Sequence, residues 1–241
     1  MSNYYGNNFG SDTKVGARPS ALPQVNVNAF MTRVFAIMGI GLLITGLTAF
    51  GVSRSPELIA SIFGSGLRWV VMLAPLAFIL IFSFGINRMS YTTAAAVFGL
   101  YSLAMGVSLS AIFIIYTASS IASTFFISAG MFGAMAFIGA TTKRDLTKMG
   151  SILMMALIGL IIASLVNIFL GSSMMSWIIS LITVVVFCGF TAYDMQKLMD
   201  ISHAEDGSEW AKKAALMGAL TLYIDFINIF LALLRLLGNR D

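Results

Sequence analysis

The chain has 241 residues, of which 59% are hydrophobic and 10% are charged, and its mean hydropathy is +0.92. Soluble domains carry about 25% charged residues, so this composition excludes a soluble protein and indicates an integral membrane protein. The net charge of +4 comes from basic residues placed singly between apolar runs rather than in a patch, so no nucleic-acid partner is expected.

The chain begins with a polar segment, residues 1–30, that is rich in Gly, Asn and Ser. It contains no apolar core of a signal peptide, and we therefore expect a disordered tail that is not cleaved. The connections further along are too short to hold a soluble domain. Residues 31–241 are predicted to form one membrane domain.

Seven apolar runs follow the tail, each close to the roughly 20 residues that a helix needs to cross about 30 Å of hydrocarbon. They predict an all-α, polytopic membrane helix bundle. The connections at 116–118 and 171–176 are nearly uncharged, which leaves open six spans with one re-entrant segment. The runs are 34–52, 69–86, 92–115, 119–140, 151–170, 177–199 and 214–237.

Basic residues are distributed unevenly between the two ends of the predicted spans. Because Lys and Arg collect in cytoplasmic segments, their distribution predicts a cytoplasmic N-terminus and an outer C-terminus. The predicted inner segments hold Lys14, Arg18, Arg33, Arg88, Lys143, Arg144, Lys148, Lys197, Lys212 and Lys213, and the outer ones hold Arg54, Arg68, Arg235 and Arg240.

Small residues recur four positions apart in the fourth span, as Ala129 and Gly133 and then as Ala136 and Ala140. This spacing allows helix backbones to approach closely in lipid. It predicts the face on which this helix packs.

Metal-ligating residues are sparse. Cys188, the single cysteine, lies in an apolar run, so an intrachain disulfide and a thiolate cluster are excluded. The single histidine, His203, lies in a polar loop beside Glu205 and Asp206, and a ligand set would need convergent partners. We expect no resident cofactor.

Asp194 and Asp225 are the two carboxylates that fall within the predicted spans. A charged side chain at the centre of a spanning helix costs roughly 2.5 to 3.5 kcal/mol on insertion scales, and such residues usually face the bundle interior and serve a function. Asp225 lies about 16 Å along its helix at 1.5 Å per residue, near the middle of the bilayer. Both residues are therefore candidates for a functional site.

The last span carries a polar stripe at helical spacing, which predicts a central helix whose stripe faces a cavity. The stripe comprises Gly218, Thr221, Asp225, Asn228, Ala232 and Arg235. Asp194 shares a face with Thr191 and Lys197, near the predicted cytoplasmic end.

Two buried carboxyl groups that meet would behave as a coupled pair, because burial and a neighbouring like charge both disfavour ionisation. One shared proton would join the helices. Its loss would leave two repelling charges and a transient site for a hard cation such as Ca²⁺. Alternatively, Arg88, Arg33 or backbone groups satisfy the aspartates separately, and the aspartates only specify packing.

Three motifs, "TTKRDLTKMG" at 141–150, "TAYDMQ" at 191–196 and "GALTLYIDFINIFLALLRLLGNR" at 218–240, resemble the bacterial branch of the Bax inhibitor-1, or transmembrane Bax inhibitor motif, family. The resemblance covers essentially residues 28–240. It implies seven helices around a central last helix, and a pH-sensitive calcium leak whose sensor corresponds to Asp194 and Asp225. A latching arginine of the family falls close to Arg88. The acidic residue that some members carry in the second helix is missing here, which leaves the ion preference open.

Two further functions are alternatives to the leak for a bundle of this kind. An intramembrane aspartyl protease also pairs two aspartates on neighbouring helices, but that class expects Gly-x-Gly-Asp where this chain has Leu222, Tyr223, Ile224 and Asp225. A non-conducting scaffold that binds membrane proteins, such as a modulator of a membrane protease, is the main alternative. The expectation is a non-enzymatic bacterial inner-membrane protein whose partners are lipid and permeant Ca²⁺ or other cations, with its oligomeric state left open.

Overall fold

The computed structural model describes residues 27–86, 88–203 and 207–239, and the regular structure in those ranges is helical. Of the tail predicted for residues 1–30, residues 1–26 lie outside the described residues, as do Glu205 and Asp206. The helices are α1 (Val27–Ser53), α2 (Pro56–Phe63), α3 (Leu67–Gly85), α4 (Tyr91–Leu109), α5 (Ile112–Ile115), α6 (Ala118–Thr141), α7 (Thr147–Leu170), α8 (Ser173–Ser202) and α9 (Glu209–Leu237).

Seven segments in the described part of the chain are long and apolar enough to cross a membrane: α1, α3, α4 together with α5, α6, α7, α8 and α9. They coincide with the seven predicted runs, so the predicted fold class is confirmed. The short α2 lies between α1 and α3 and begins at Ser55, whose side chain accepts a hydrogen bond from Leu58 N.

The first helix begins earlier than the sequence indicated. Residues 27–30 were assigned to the polar tail, but α1 starts at Val27 and the side chain of Phe30 is only 1% exposed. Asn28, Thr32 and Arg33 interrupt the apolar residues around Phe30, which weakens the hydropathy signal of this turn. The burial of Phe30 nevertheless stabilises the first turn of the helix.

A tight reversal separates α7 from α8. Gly171 ends α7 with a φ of 62°, a conformation that glycine adopts without strain, and the side chain of Ser172 caps α8 by accepting a hydrogen bond from Met175 N. Both helices are therefore complete spans. A re-entrant segment at 171–176, which would have reduced the count to six, is not observed.

The last helix lies at the centre of the bundle. α9 packs against α1, α4, α6 and α8, and 72% of its membrane-spanning window is buried, against 6% for α7. Asp225, in the middle of α9, is consequently enclosed by protein, whereas α7 presents most of its surface to lipid.

The packing face of α6 differs from the small-residue pattern. Ala129 and Gly133 are exposed, and a Cβ at Gly133 would meet no atom within 4 Å. The close contact occurs at Gly139, where an added Cβ would clash with the backbone of Ala192 on α8. Small residues four positions apart occur on two faces of this alanine-rich and glycine-rich helix. The first predicted pair, Ala129 and Gly133, lies on the face that points to lipid.

Candidate two-aspartate site

The two spanning aspartates meet where α8 packs on α9. The side chain of Asp225 is 3% exposed and that of Asp194 is partly buried. Their carboxyl groups lie within hydrogen-bonding reach of each other. The structure therefore brings together the two residues that the sequence selected.

Close approach of the two helices makes this contact possible. Gly218 of α9 lies directly against Leu198 of α8, leaving no space for a Cβ. On α8 the hydroxyl of Thr191 donates to Phe187 O at 2.8 Å and is fully buried. Gly218 has no side chain, and the hydroxyl of Thr191 is hydrogen-bonded within α8. The two helices can therefore approach closely enough for their carboxyl groups to interact.

Few groups are available to neutralise Asp225. Its Oδ2 atom is buried and receives no hydrogen bond from the described residues. The thiol of Cys188 lies close enough to feel its charge, and the charge of Lys197 acts on Asp194. The deeper carboxyl group therefore depends on Asp194, or on a proton, for its stabilisation.

A cavity of about 220 Å³ reaches Asp194 from one end of the bundle. We call it the Asp194 cavity. Its walls belong to α8 and α9 and include Asp194, Lys197, Leu198, Met217, Gly218 and Thr221. It borders Asp194, the less buried partner of the pair.

The predicted polar stripe of α9 is only partly used at this cavity. Thr221 lines it, whereas Asn228 does not. Both side chains bond to their own helix, Thr221 Oγ1 to Met217 O at 3.0 Å and Asn228 Nδ2 to Ile224 O at 2.8 Å. Arg235, at the far end of the stripe, lines a second cavity of about 860 Å³, which we call the Arg235 cavity.

Arg88 lies in the turn between α3 and α4 with its side chain exposed. The structure records no ion pair between Arg88 and either aspartate within the described ranges. Its role as counter-ion remains a prediction. The turn is instead tied to α9, since Lys213 Nζ donates to Met89 O at 3.1 Å and Glu209 Oε1 accepts from Tyr91 N at 3.1 Å.

Gln196, two residues beyond Asp194, fastens the α6–α7 loop to α8. Its Oε1 accepts a hydrogen bond from Leu146 N at 2.9 Å, and its Nε2 donates to Arg144 O at 2.8 Å. This contact was not predicted from the sequence. The signal that points to this contact is the presence of "TKRDL" and "MQ" in the two motifs. A glutamine side chain can accept one hydrogen bond and donate another, and can therefore bind a loop backbone through both.

The carboxylate in this loop differs from the buried pair. Asp145 accepts hydrogen bonds from the side chain and the backbone N–H of Thr147, and these hold the pKa of Asp145 below its usual value. Its charge is thus retained at neutral pH. Within the loop, Asp145 is no candidate for a pH sensor.

A second buried polar cluster lies on the opposite face of α9. The Tyr223 hydroxyl and Thr45 Oγ1 are 2.7 Å apart, and Thr45 Oγ1 donates to Ser102 O at 2.9 Å. Tyr101 packs edge to face on Tyr223, with ring centroids 5.4 Å apart. This cluster joins α1, α4 and α9 through buried contacts.

A preformed metal centre is not found in the described part of the chain. No group of three or more His, Cys, Asp and Glu side chains converges there, and His203 is exposed. Two carboxylates alone provide fewer oxygen ligands than the 6 to 8 that Ca²⁺ takes. The pair by itself therefore does not form a complete Ca²⁺ coordination site among the described residues.

Sequence comparison agrees with this architecture. The family described as inhibitor of apoptosis-promoting Bax1 matches residues 27–241, so the chain belongs to that family of membrane proteins. The inner membrane protein YbhL of Escherichia coli K12 is 44% identical over 221 residues, covering 90% of this chain and 94% of YbhL. Protein RP147 of Rickettsia prowazekii is 46% identical over 211 residues, covering 88% and 89%.

Proposed function

We propose that this protein is a pH-sensitive leak for cations, Ca²⁺ among them, that the Asp194–Asp225 pair gates. The observation that carries the proposal is a nearly unexposed carboxyl group in the middle of the central helix, within hydrogen-bonding reach of a second one that borders an open cavity. Such groups are costly in a membrane and are usually retained for a function.

The gate follows from the chemistry of the pair. With one shared proton, a hydrogen bond joins α8 to α9 and the pair carries a single charge. When that proton is lost, two negative charges face each other in a medium of low polarity, where their repulsion is much stronger than in water. The repulsion favours separation of the helices, and the two carboxylates then attract a cation.

The Asp194 cavity is the end of the path that we assign, and the Arg235 cavity, where the lining charge is positive, is not assigned to the path. Thr221 lines the Asp194 cavity and Arg235 lines the Arg235 cavity, and both belong to the same stripe of α9. They are separated by roughly 21 Å at 1.5 Å per residue. Between the cavities α8 buries Val184, Cys188 and Thr191. We therefore interpret this arrangement as a closed form and expect opening by movement along the α8–α9 contact.

The proposed setting is a bacterial inner membrane with the N-terminus in the cytoplasm. YbhL is named as an inner membrane protein, and the asymmetry of Lys and Arg supports the orientation. No resident cofactor or enzymatic activity is proposed.

Calcium uptake into dye-loaded proteoliposomes tests the proposal against its alternatives. Uptake above that of empty liposomes supports a leak. If folded, inserted protein gives no uptake between pH 6 and 8, a non-conducting scaffold or modulator of a membrane protease is the better account. Cleavage of a reporter helix that is lost in Asp225→Asn would instead indicate an intramembrane aspartyl protease.

A further inference from the structure

The largest of the cavities described above, the Arg235 cavity, lies at the end of the bundle opposite to Asp194. Its volume is about 860 Å³, and its walls come from α7, α8, α9 and the segment that ends α5. Polar residues in its wall include Asn167, Ser176, Trp177, Ser180 and Arg235. Among the described residues that line it, Arg235 is the one that is charged, and none is a carboxylate.

Three helices present hydrogen-bond donors to this space. The guanidinium of Arg235, on α9, makes no ion pair or hydrogen bond with the described residues and offers five N–H groups. On α7, Asn167 Nδ2 uses one hydrogen on Ser176 Oγ at 2.7 Å and keeps the other. On α8, the indole N–H of Trp177 has no hydrogen-bond partner within the described ranges, and the residue is 54% exposed.

The serine hydroxyls of the wall have a different role. Ser176 and Ser180 donate their protons to carbonyl groups one turn back on α8, at 3.0 and 2.9 Å. They make the wall polar, and of the two only Ser176 accepts a donor hydrogen of this wall, the one from Asn167. The available donors therefore include those of Arg235, Asn167 and Trp177, and the charge among these three is positive.

We propose that the Arg235 cavity binds a phosphate group. A cation is disfavoured beside an unpaired guanidinium, whereas a tetrahedral oxyanion accepts two parallel N–H bonds from it. Arginine and tryptophan at the end of a spanning helix lie at the depth of lipid headgroups. The phosphate belongs either to a phospholipid headgroup or to a free phosphate compound. This inference does not depend on the proposed leak.

Fluorescence of Trp177 provides a direct test, because the chain has three tryptophans and Trp69→Phe with Trp210→Phe leaves Trp177 alone. The protein is purified in dodecyl maltoside, which contains no phosphate. It is then titrated with inorganic phosphate and, separately, with a short-chain phosphatidylglycerol in mixed micelles. A diacylglycerol of the same chain length is the control without phosphate.

We expect a saturable change in Trp177 emission that Arg235→Gln weakens at least tenfold and that Arg235→Lys weakens less. Arg68→Gln removes a cation at the same end of the bundle but outside the cavity, and should leave the titration unchanged. Saturation by phosphatidylglycerol alone assigns the phosphate to a lipid headgroup, and saturation by inorganic phosphate assigns it to a free compound. The proposal is overturned if neither saturates, if sulfate matches phosphate, or if folded Arg235→Gln and Arg235→Lys proteins both bind like the parent.

Discussion

The buried carboxyl group of Asp225 has few polar partners among the described residues. Its Oδ2 atom lacks a donor among the described residues, and the carboxyl group of Asp194 lies within reach of Asp225. Ionisation of both groups would leave charge in a region that water does not solvate. The contact is therefore expected to weaken as the pair loses its proton.

Asp225→Asn should make thermal stability less dependent on pH. An amide can bond to Asp194 but cannot ionise, so the variant lacks the repulsion that develops in the parent as pH rises. We expect similar melting temperatures at pH 6 and a variant that melts a few degrees higher at pH 8, since about 1 kcal/mol shifts the melting temperature of a protein of this size by about 2 to 4 °C. Thermal unfolding in detergent measures both.

Asp200→Asn is the matched control, because Asp200 lies on α8 with its side chain exposed. It should follow the parent at both pH values. Equal pH dependence of stability in the parent and in Asp225→Asn would show that the buried pair does not titrate in this range.

At the scale of helices, the contact between α6 and α8 supports the helix that carries Asp194. Gly139 approaches the backbone of Ala192, two residues before Asp194. A side chain at this position would push the two helices apart. α8 would then shift relative to α9.

Gly139→Ala is expected to destabilise the protein by about 1 to 3 kcal/mol, the usual cost of overpacking a well-packed contact. Gly133→Ala adds the same methyl group to the same helix where nothing lies within 4 Å, and it should be neutral or slightly stabilising. Unfolding in a graded SDS series compares the two. Equal stabilities would contradict the close packing of α6 on α8.

The elements themselves were predictable because hydropathy and length are local properties. Their ends were less so: α8 begins at Ser173 rather than near 177, and α9 begins at Glu209 rather than near 214. In both, polar residues continue the helix beyond the apolar stretch, and a serine cap fixes the start. Hydropathy marks the hydrocarbon boundary and not the last hydrogen-bonded turn.

The aspartate pair was accessible to sequence reasoning because acids within apolar spans are conspicuous. The clamp of Gln196 on Leu146 and the bond of Glu209 to Tyr91 were not, since they join residues 50 and 118 positions apart. A polar residue near a helix end looks the same whether it contacts water or another loop. Only the three-dimensional arrangement distinguishes these possibilities.

At the scale of the whole molecule, the two ends of the bundle differ in charge. The Asp194 end carries Arg33, Arg88, Lys143, Arg144, Lys148, Lys197, Lys212 and Lys213, whereas the Arg235 end carries Arg54, Arg68 and Arg235. Positive residues remain on the cytoplasmic side during insertion. The Asp194 cavity would thus open towards the cytoplasm, where it could sense cytoplasmic pH.

Reporter fusions test this orientation. Alkaline phosphatase, which is active only outside the cytoplasm, should be active when fused after Asn239 and inactive when fused after His203. A fluorescent protein that folds in the cytoplasm should give the opposite result at both sites. Activity of the phosphatase after His203 would invert the topology and place the Asp194 cavity outside.

The most direct measurement of the central claim is calcium uptake into dye-loaded proteoliposomes across pH 6 to 8, comparing the parent with Asp194→Asn, Asp225→Asn, the double variant and Asp200→Asn. For a gate formed by Asp194 and Asp225 we expect greater uptake at pH 8 than at pH 6 in the parent and in Asp200→Asn. Either single substitution should flatten the pH dependence, and the double variant should resemble the singles because the two carboxyl groups act as one unit. Uptake equal to that of empty liposomes at every pH, or an unaltered pH profile in both single variants, would contradict a gate formed by Asp194 and Asp225.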